Sequence, residues 1–176
     1  MVLRLRSLQE KKGICDKESS TEESSKQSIP DPLLTTRPPV SHRHLGHDTC
    51  VFSAACSLAD YVGFKDLISV LKDATAMSLT HPNRMLFLKD TVNSHANFSA
   101  DWIDIYSVDI LTDHIACGVF QLRSECGNVE HAVGISGTWI FDASCSAALP
   151  LNKESLDSCV SGLYDGVESG LLITSP

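Results

Sequence analysis

The sequence predicts an α+β domain in which N-terminal helices pack on a C-terminal antiparallel sheet. Three observations point to it. After Cys50 the apolar residues Val51, Ala54, Ala55, Leu58, Ala59 and Val62 recur at the spacing of one buried helix face. From Gly118 to Phe141 the chain changes to short apolar runs rich in β-branched and aromatic residues, separated by glycine-containing turn residues, as in paired strands. Helical patterns come first and strand patterns late, so the two kinds of element are segregated rather than alternating.

Taken in order, residues 1–40 read as a disordered tail or linker. Asp16 to Ser28 is a run of Ser, Glu, Lys and Thr with little to bury, and Pro30, Pro32, Pro38 and Pro39 interrupt regular structure. The domain proper is expected over 41–176. Asp48 or Thr49 can cap the first helix, and Gly63 ends its periodic run. Lys65 to Ala74 predicts a second helix with Leu67, Ile68 and Leu71 on one face. Pro82 fits the first turn of a third, over about 83–92. Trp102 to Val108 reads equally as helix or strand. Gly118 to Arg123 is a strand, Cys126-Gly127-Asn128 a turn, and Val129 to Ile135 and Thr138 to Phe141 two further strands. Asn152 to Leu163 reads as a helix and Leu171 to Thr174 as a last strand.

Composition narrows the function. A chain of 176 residues with 43% hydrophobic content supports one ordinary core. The tail to residue 40 holds 7 basic and 6 acidic residues, which leaves 7 basic against 16 acidic, a net −9, for the rest. Such a domain is a poor partner for a phosphate backbone, so no nucleic acid is expected. The 7 cysteines are odd in number and contain no C-x-x-C pair, and no secretory apolar segment stands near Met1. The expected setting is therefore reducing and cytoplasmic, with free thiols. No apolar run approaches the roughly 20 residues of a membrane helix, so no membrane partner is expected.

Cys50 falls at the start of the first helix, where unpaired backbone N–H groups and the positive end of the helix dipole favour a thiolate. A base is available later in the chain. If Ser136-Gly137 is a two-residue hairpin loop, opposed residues sum to 273 and His131 faces Asp142. Directly opposed side chains have Cβ atoms roughly 4.5–5.5 Å apart, close enough for a carboxylate to hold an imidazole in one tautomer. Cys50, His131 and Asp142 thus form a nucleophile, a general base and an orienting acid.

Asp48-Thr49-Cys50-Val51-Phe52-Ser53-Ala54 and His131-Ala132-Val133 with Trp139-Ile140-Phe141-Asp142 resemble the papain-like cysteine peptidase superfamily. The Cys-His-Asp order and the compact size are similar to the ovarian-tumour and ubiquitin-specific branches and to peptidases carried by viruses and mobile elements. The resemblance implies a papain-like fold with the nucleophile at a helix start. It implies a thiol peptidase acting on an amide or isopeptide bond of a protein substrate, with ubiquitin or a precursor polyprotein as candidates, and needing no cofactor or metal. The glutamine that the papain branch places before its Cys is absent, since His44 stands six residues before Cys50. The oxyanion donors would then be the Cys50 backbone N–H with a group from His47, Asp48 or Thr49.

Other readings compete. His42, His44, His47 and Cys50 have metal-capable spacing, which would suit a zinc-stabilised binding domain. A catalytically inactive interaction module would keep the fold without turnover. Cys56 reads as core, and His81, His95 and His114 as surface or core histidines. Val2-Leu3-Arg4-Leu5-Arg6 matches a stretch near the C-terminus of ubiquitin, with Ser7-Leu8 in place of Gly-Gly, a five-residue match that chance can produce. The acidic surface would suit that basic tail as substrate.

Overall fold

The structure, a computed structural model, describes residues 38–41, 49–104, 117–126, 129–160 and 162–175, with backbone alone at 129–130. Three helices come first: α1 over Cys50–Val62, α2 over Lys65–Ser78 and α3 over Arg84–Asn93. Then follow β1 (Ser99–Ile103), β2 (Gly118–Ser124), β3 (Val129–Ser136), β4 (Trp139–Phe141) and β5 (Leu149–Pro150). A short α4 (Lys153–Ser158) and a long β6 (Tyr164–Thr174) close the chain. The strands form one sheet in the order β1-β6-β2-β3-β4-β5, antiparallel throughout.

Helix α1 is the centre of the packing. The spacing predicts one apolar stripe, yet Val51 to Ala59 are buried in succession, because α1 lies between the sheet and the other two helices. The buried hydroxyl of Ser57 donates to the Ser53 carbonyl at 3.0 Å, which satisfies a polar group on that enclosed helix. Gly134 of β3 lets helix and strand approach closely, since a Cβ there would stand 3.0 Å from the Ala54 carbonyl oxygen. At the far end Gly63 adopts φ +85° and its N–H returns to Ala59 and Asp60, the left-handed stop that glycine tolerates.

The sheet alternates as a two-sided layer. Val119 and Ala132 join the core beneath α1 to α3, while Phe120, Leu122, Val133, Ile135 and Ile140 pack on the other side with Leu156 and Cys159. The core cysteine expected at position 56 is there, 1% exposed.

Several boundaries differ from the sequence reading. Helix α2 runs four residues beyond Ala74, helped by Ser78, whose hydroxyl donates to the Thr75 carbonyl at 2.6 Å. Pro82 precedes α3 instead of entering its first turn; Asn83 is the N-cap, its Oδ1 accepting from the Leu86 N–H at 2.9 Å. The helix expected over 152–163 is only Lys153–Ser158, capped by Asn152. The last strand begins at Tyr164, seven residues before Leu171, and lies between β1 and β2 inside the sheet.

Just before position 41, Val40 bridges to Ala147 and the Pro39 carbonyl accepts from the Ala148 N–H. Residues 1–37, including the ubiquitin-like Val2–Arg6 stretch, lie outside the described residues. So do Ile105 to Val108 of the ambiguous segment, Gly127-Asn128 of the turn, and His114. Among the described residues no helix is long and apolar enough to cross a membrane.

Candidate active site

Cys50 is the first residue of α1 and is partly exposed. Thr49 holds the N-cap position, but its side chain makes no capping bond; its hydroxyl accepts from Ser53 Oγ at 3.4 Å instead. The first-turn N–H groups are therefore left to the local field that favours an anion. One of them, from Val51, stabilises the thiolate directly by a backbone hydrogen bond, and the backbone of Ala132 on β3 supplies a second.

His131 enters from β3 and Asp142 directly follows β4. Strands β3 and β4 pair Gly134 with Phe141, Ile135 with Ile140 and Ser136 with Trp139, so opposed residues sum to 275. The loop is Gly137-Thr138, with Gly137 at φ +56°, and not Ser136-Gly137. The register is thus displaced by two residues from the sequence reading, which keeps His131 and Asp142 on one face as diagonal neighbours. The His131 Nε2–H donates to Asp142 Oδ1 at 2.8 Å. Asp142 is 2% exposed, and the same oxygen accepts from the Ser144 N–H at 2.7 Å. Ser41 donates its hydroxyl to the Asp142 carbonyl at 2.8 Å, so the segment before α1 also holds the acid in place.

With Nε2 held by Asp142, the other ring nitrogen is left for Cys50, and the thiol and imidazole are hydrogen-bonded. The electrostatics follow from these contacts. Burial alone would raise the Cys50 pKa, but the hydrogen bond and charge of His131, with the backbone of Ala132 and Val51, bring it below the ordinary 9.0. Burial alone would lower His131; the bonds to Asp142 and Cys50 and their charges push it up to about 9 instead. Burial would likewise raise Asp142, yet His131 and the Ser144 N–H hold it well below the usual carboxylate range. The other buried thiols show the opposite behaviour: burial pushes Cys56 up to about 11 and Cys117 up to about 12. Only the environment of Cys50 lowers a thiol among the described residues whose shift is resolved.

Cys50 and His131 open onto a cleft of about 670 Å³, also lined by Val51, Ala132, the Leu79–Arg84 segment between α2 and α3, and Gln121 of β2. Its described lining contains no carboxylate and one guanidinium, that of Arg84, so it offers a basic ubiquitin-like tail no acidic partner. His81, read from sequence as an isolated histidine, forms part of this wall; its ring stacks on Phe87 at 5.1 Å. Gln121 and Arg84 escaped the sequence reading. The only signal was an amide inside an otherwise apolar strand at Gln121.

Of the oxyanion candidates, His47 and Asp48 lie outside the described residues, and Thr49 is buried away from the cleft lining. His42, His44 and His47 of the metal-capable set are also outside them, while its fourth member, Cys50, is engaged by His131. Among the described residues no group of three or more His, Cys, Asp or Glu side chains could hold a metal ion.

No family model matches this chain, and no curated protein matches it. Among solved structures it is similar to a double glycine motif protease from an AMS/PCAT transporter, captured with its leader peptide. The TM-score is 0.50 at 13% sequence identity, over 80% of this chain and 94% of that one. At that identity the likeness is one of fold alone: helices packed on an antiparallel sheet.

Proposed function

We propose that this protein is a thiol hydrolase that cleaves an amide or isopeptide bond of a protein substrate. The observation that carries the reading is the chain of contacts from the Cys50 thiol through the His131 ring to Asp142 Oδ1, at the edge of an open cleft. In this reading the Cys50 thiolate attacks the substrate carbonyl, and the His131 imidazolium protonates the departing amine as the C–N bond breaks. Water, deprotonated by His131, then attacks the thioester; the C–S bond breaks, releasing the acid and returning the thiol. Asp142 keeps the ring in its working tautomer throughout.

A protein substrate is favoured by the fold neighbour, which is a protease captured with a leader peptide. That protein takes its name from a double-glycine motif. Ubiquitin ends in the same dipeptide, so it stays one candidate substrate beside a precursor polyprotein. The zinc reading draws no support from Cys50, whose partner is His131.

The test is selective alkylation combined with turnover. Iodoacetamide near pH 6.5 should modify Cys50 well ahead of exposed Cys126, and Cys50→Ala should remove both that adduct and the hydrolysis of a ubiquitin C-terminal reporter. Equal labelling of Cys50 and Cys126 would favour the inactive interaction module. Selective labelling with no reporter hydrolysis would keep the thiol hydrolase and exclude ubiquitin.

A further inference from the structure

Gln121 stands out in its strand. Its neighbours Phe120 and Leu122 are fully buried, whereas Gln121 is half-buried and faces the cleft that holds Cys50 and His131. One cross-strand partner is Ala132, whose backbone bonds the Cys50 sulfur; the other is Ser169 of β6. The Gln121 side chain thus starts one strand spacing, roughly 5 Å, from the backbone that touches the nucleophile.

The amide is also oriented. Ser169 Oγ donates to Gln121 Oε1 at 2.7 Å, which occupies the acceptor end and leaves the Nε2 hydrogens for the cleft. The pairing of β2 with β6 shifts register between Gln121 and Leu122, and that with β3 shifts between Leu122 and Arg123. Such irregularities bend a strand and re-aim the side chains beside them. A tethered amide with only donors facing outward is complementary to an acceptor. An extended peptide lying in the cleft presents one carbonyl per residue.

We propose that Gln121, held by Ser169, is a substrate-binding residue whose Nε2 donates to a backbone carbonyl of the bound peptide close to the bond under attack. It rests on the thiol hydrolase reading and adds to it a specific contact. It fills none of the roles of Cys50, His131 or Asp142.

The experiment compares two reagents on Cys50 in the full chain. Iodoacetamide needs the thiolate but no cleft contact, while the peptide acetyl-Leu-Arg-Gly-Gly chloromethyl ketone must also lie in the cleft. Gln121→Leu should raise the peptide reagent's KI about fivefold, the weight of one neutral hydrogen bond. Its kinact and the iodoacetamide rate should stay within twofold. Gln121→Glu, which keeps the length but removes the donors, should raise KI at least as much, and it decides the matter should Leu disturb the strand. Ser169→Ala should raise KI by a smaller factor, because the donors remain but lose their tether. An unchanged KI in both Gln121 variants overturns the proposal, and so does a fall in kinact at constant KI, which would make Gln121 an oxyanion donor. Failure of the underlying reading is recognised separately, as absence of selective iodoacetamide labelling of Cys50 in the unmodified protein.

Discussion

Replacing Asp142 with Asn removes a charge while keeping the shape, and its effect should be felt two residues away in the chain of contacts, at the Cys50 sulfur. His131 rises from its ordinary 6.5 to about 9, which corresponds to roughly 3 kcal/mol in favour of the imidazolium. Asp142 supplies the largest of the contributions that raise it, and burial works in the opposite direction. Without that charge the imidazolium is disfavoured by about 1–3 pH units, the usual effect of one close opposite charge. The thiolate then loses its counter-ion, and burial, the largest influence on Cys50, pulls its pKa back up toward or beyond 9.0.

The assay is the pH dependence of Cys50 carboxamidomethylation, followed by mass spectrometry of the Cys50 peptide. In the unmodified protein the midpoint should lie below 9.0, and Asp142→Asn should move it up by about one unit or more, with the rate at pH 6 falling about tenfold per unit. Because thiol and imidazole titrate as a pair, the midpoint belongs to both. A midpoint that stays in place in the variant would refute the argument, since it would mean that Asp142 does not control the charge on His131.

The same pair sets a pH window for stability. His131's folded pKa is raised, so its contribution is complete below about 6.5 and disappears as pH rises through about 9. Asp142's is depressed, so its contribution is complete above 3.8 and disappears as pH falls through the folded value. The unfolding free-energy gap between the unmodified protein and Asp142→Asn should therefore be widest between about pH 4 and 6.5 and narrow by pH 10, as measured by urea titration at each pH; a gap constant with pH would contradict it. Gly134→Ala places a Cβ 3.0 Å from the Ala54 carbonyl and 3.4 Å from Leu58 and Phe141, and should lower stability by about 1–3 kcal/mol; an unshifted urea midpoint would show that α1 can move away freely. Asn83→Ala removes the cap of α3 and should cost about 1 kcal/mol in the same titration.

What could be read from sequence divides along physical lines. Helix α1 was legible because a period of 3.6 persists for three turns and a glycine ends it. Its burial on every side was not, since that depends on α2 and α3 folding over it. The first half of β6 was hidden because Asp165, Gly166, Glu168, Ser169 and Gly170 lack the apolar character of an internal strand. What places it inside the sheet is pairing with β1 on one side and β2 on the other, which a local pattern does not contain. The loop before α3 and Gln121 became neighbours of Cys50 only through that topology, so the cleft walls stayed invisible while its titrating groups did not.

The His131–Asp142 pair shows why one wrong step did little harm. Side chains on a strand alternate, so the face a residue occupies depends only on the parity of its register. Moving the loop from Ser136-Gly137 to Gly137-Thr138 changes the sum of opposed positions from 273 to 275, an even displacement. A displacement of one residue would have placed imidazole and carboxylate on opposite faces. With two, they become diagonal neighbours, roughly 7–8 Å apart at the backbone, and the ring spans that gap to close a 2.8 Å bond. Diagonal placement also has a chemical consequence. Asp142 reaches back along the strand to the ring's Nε2, which turns the opposite side of the imidazole toward the start of α1, where Cys50 stands.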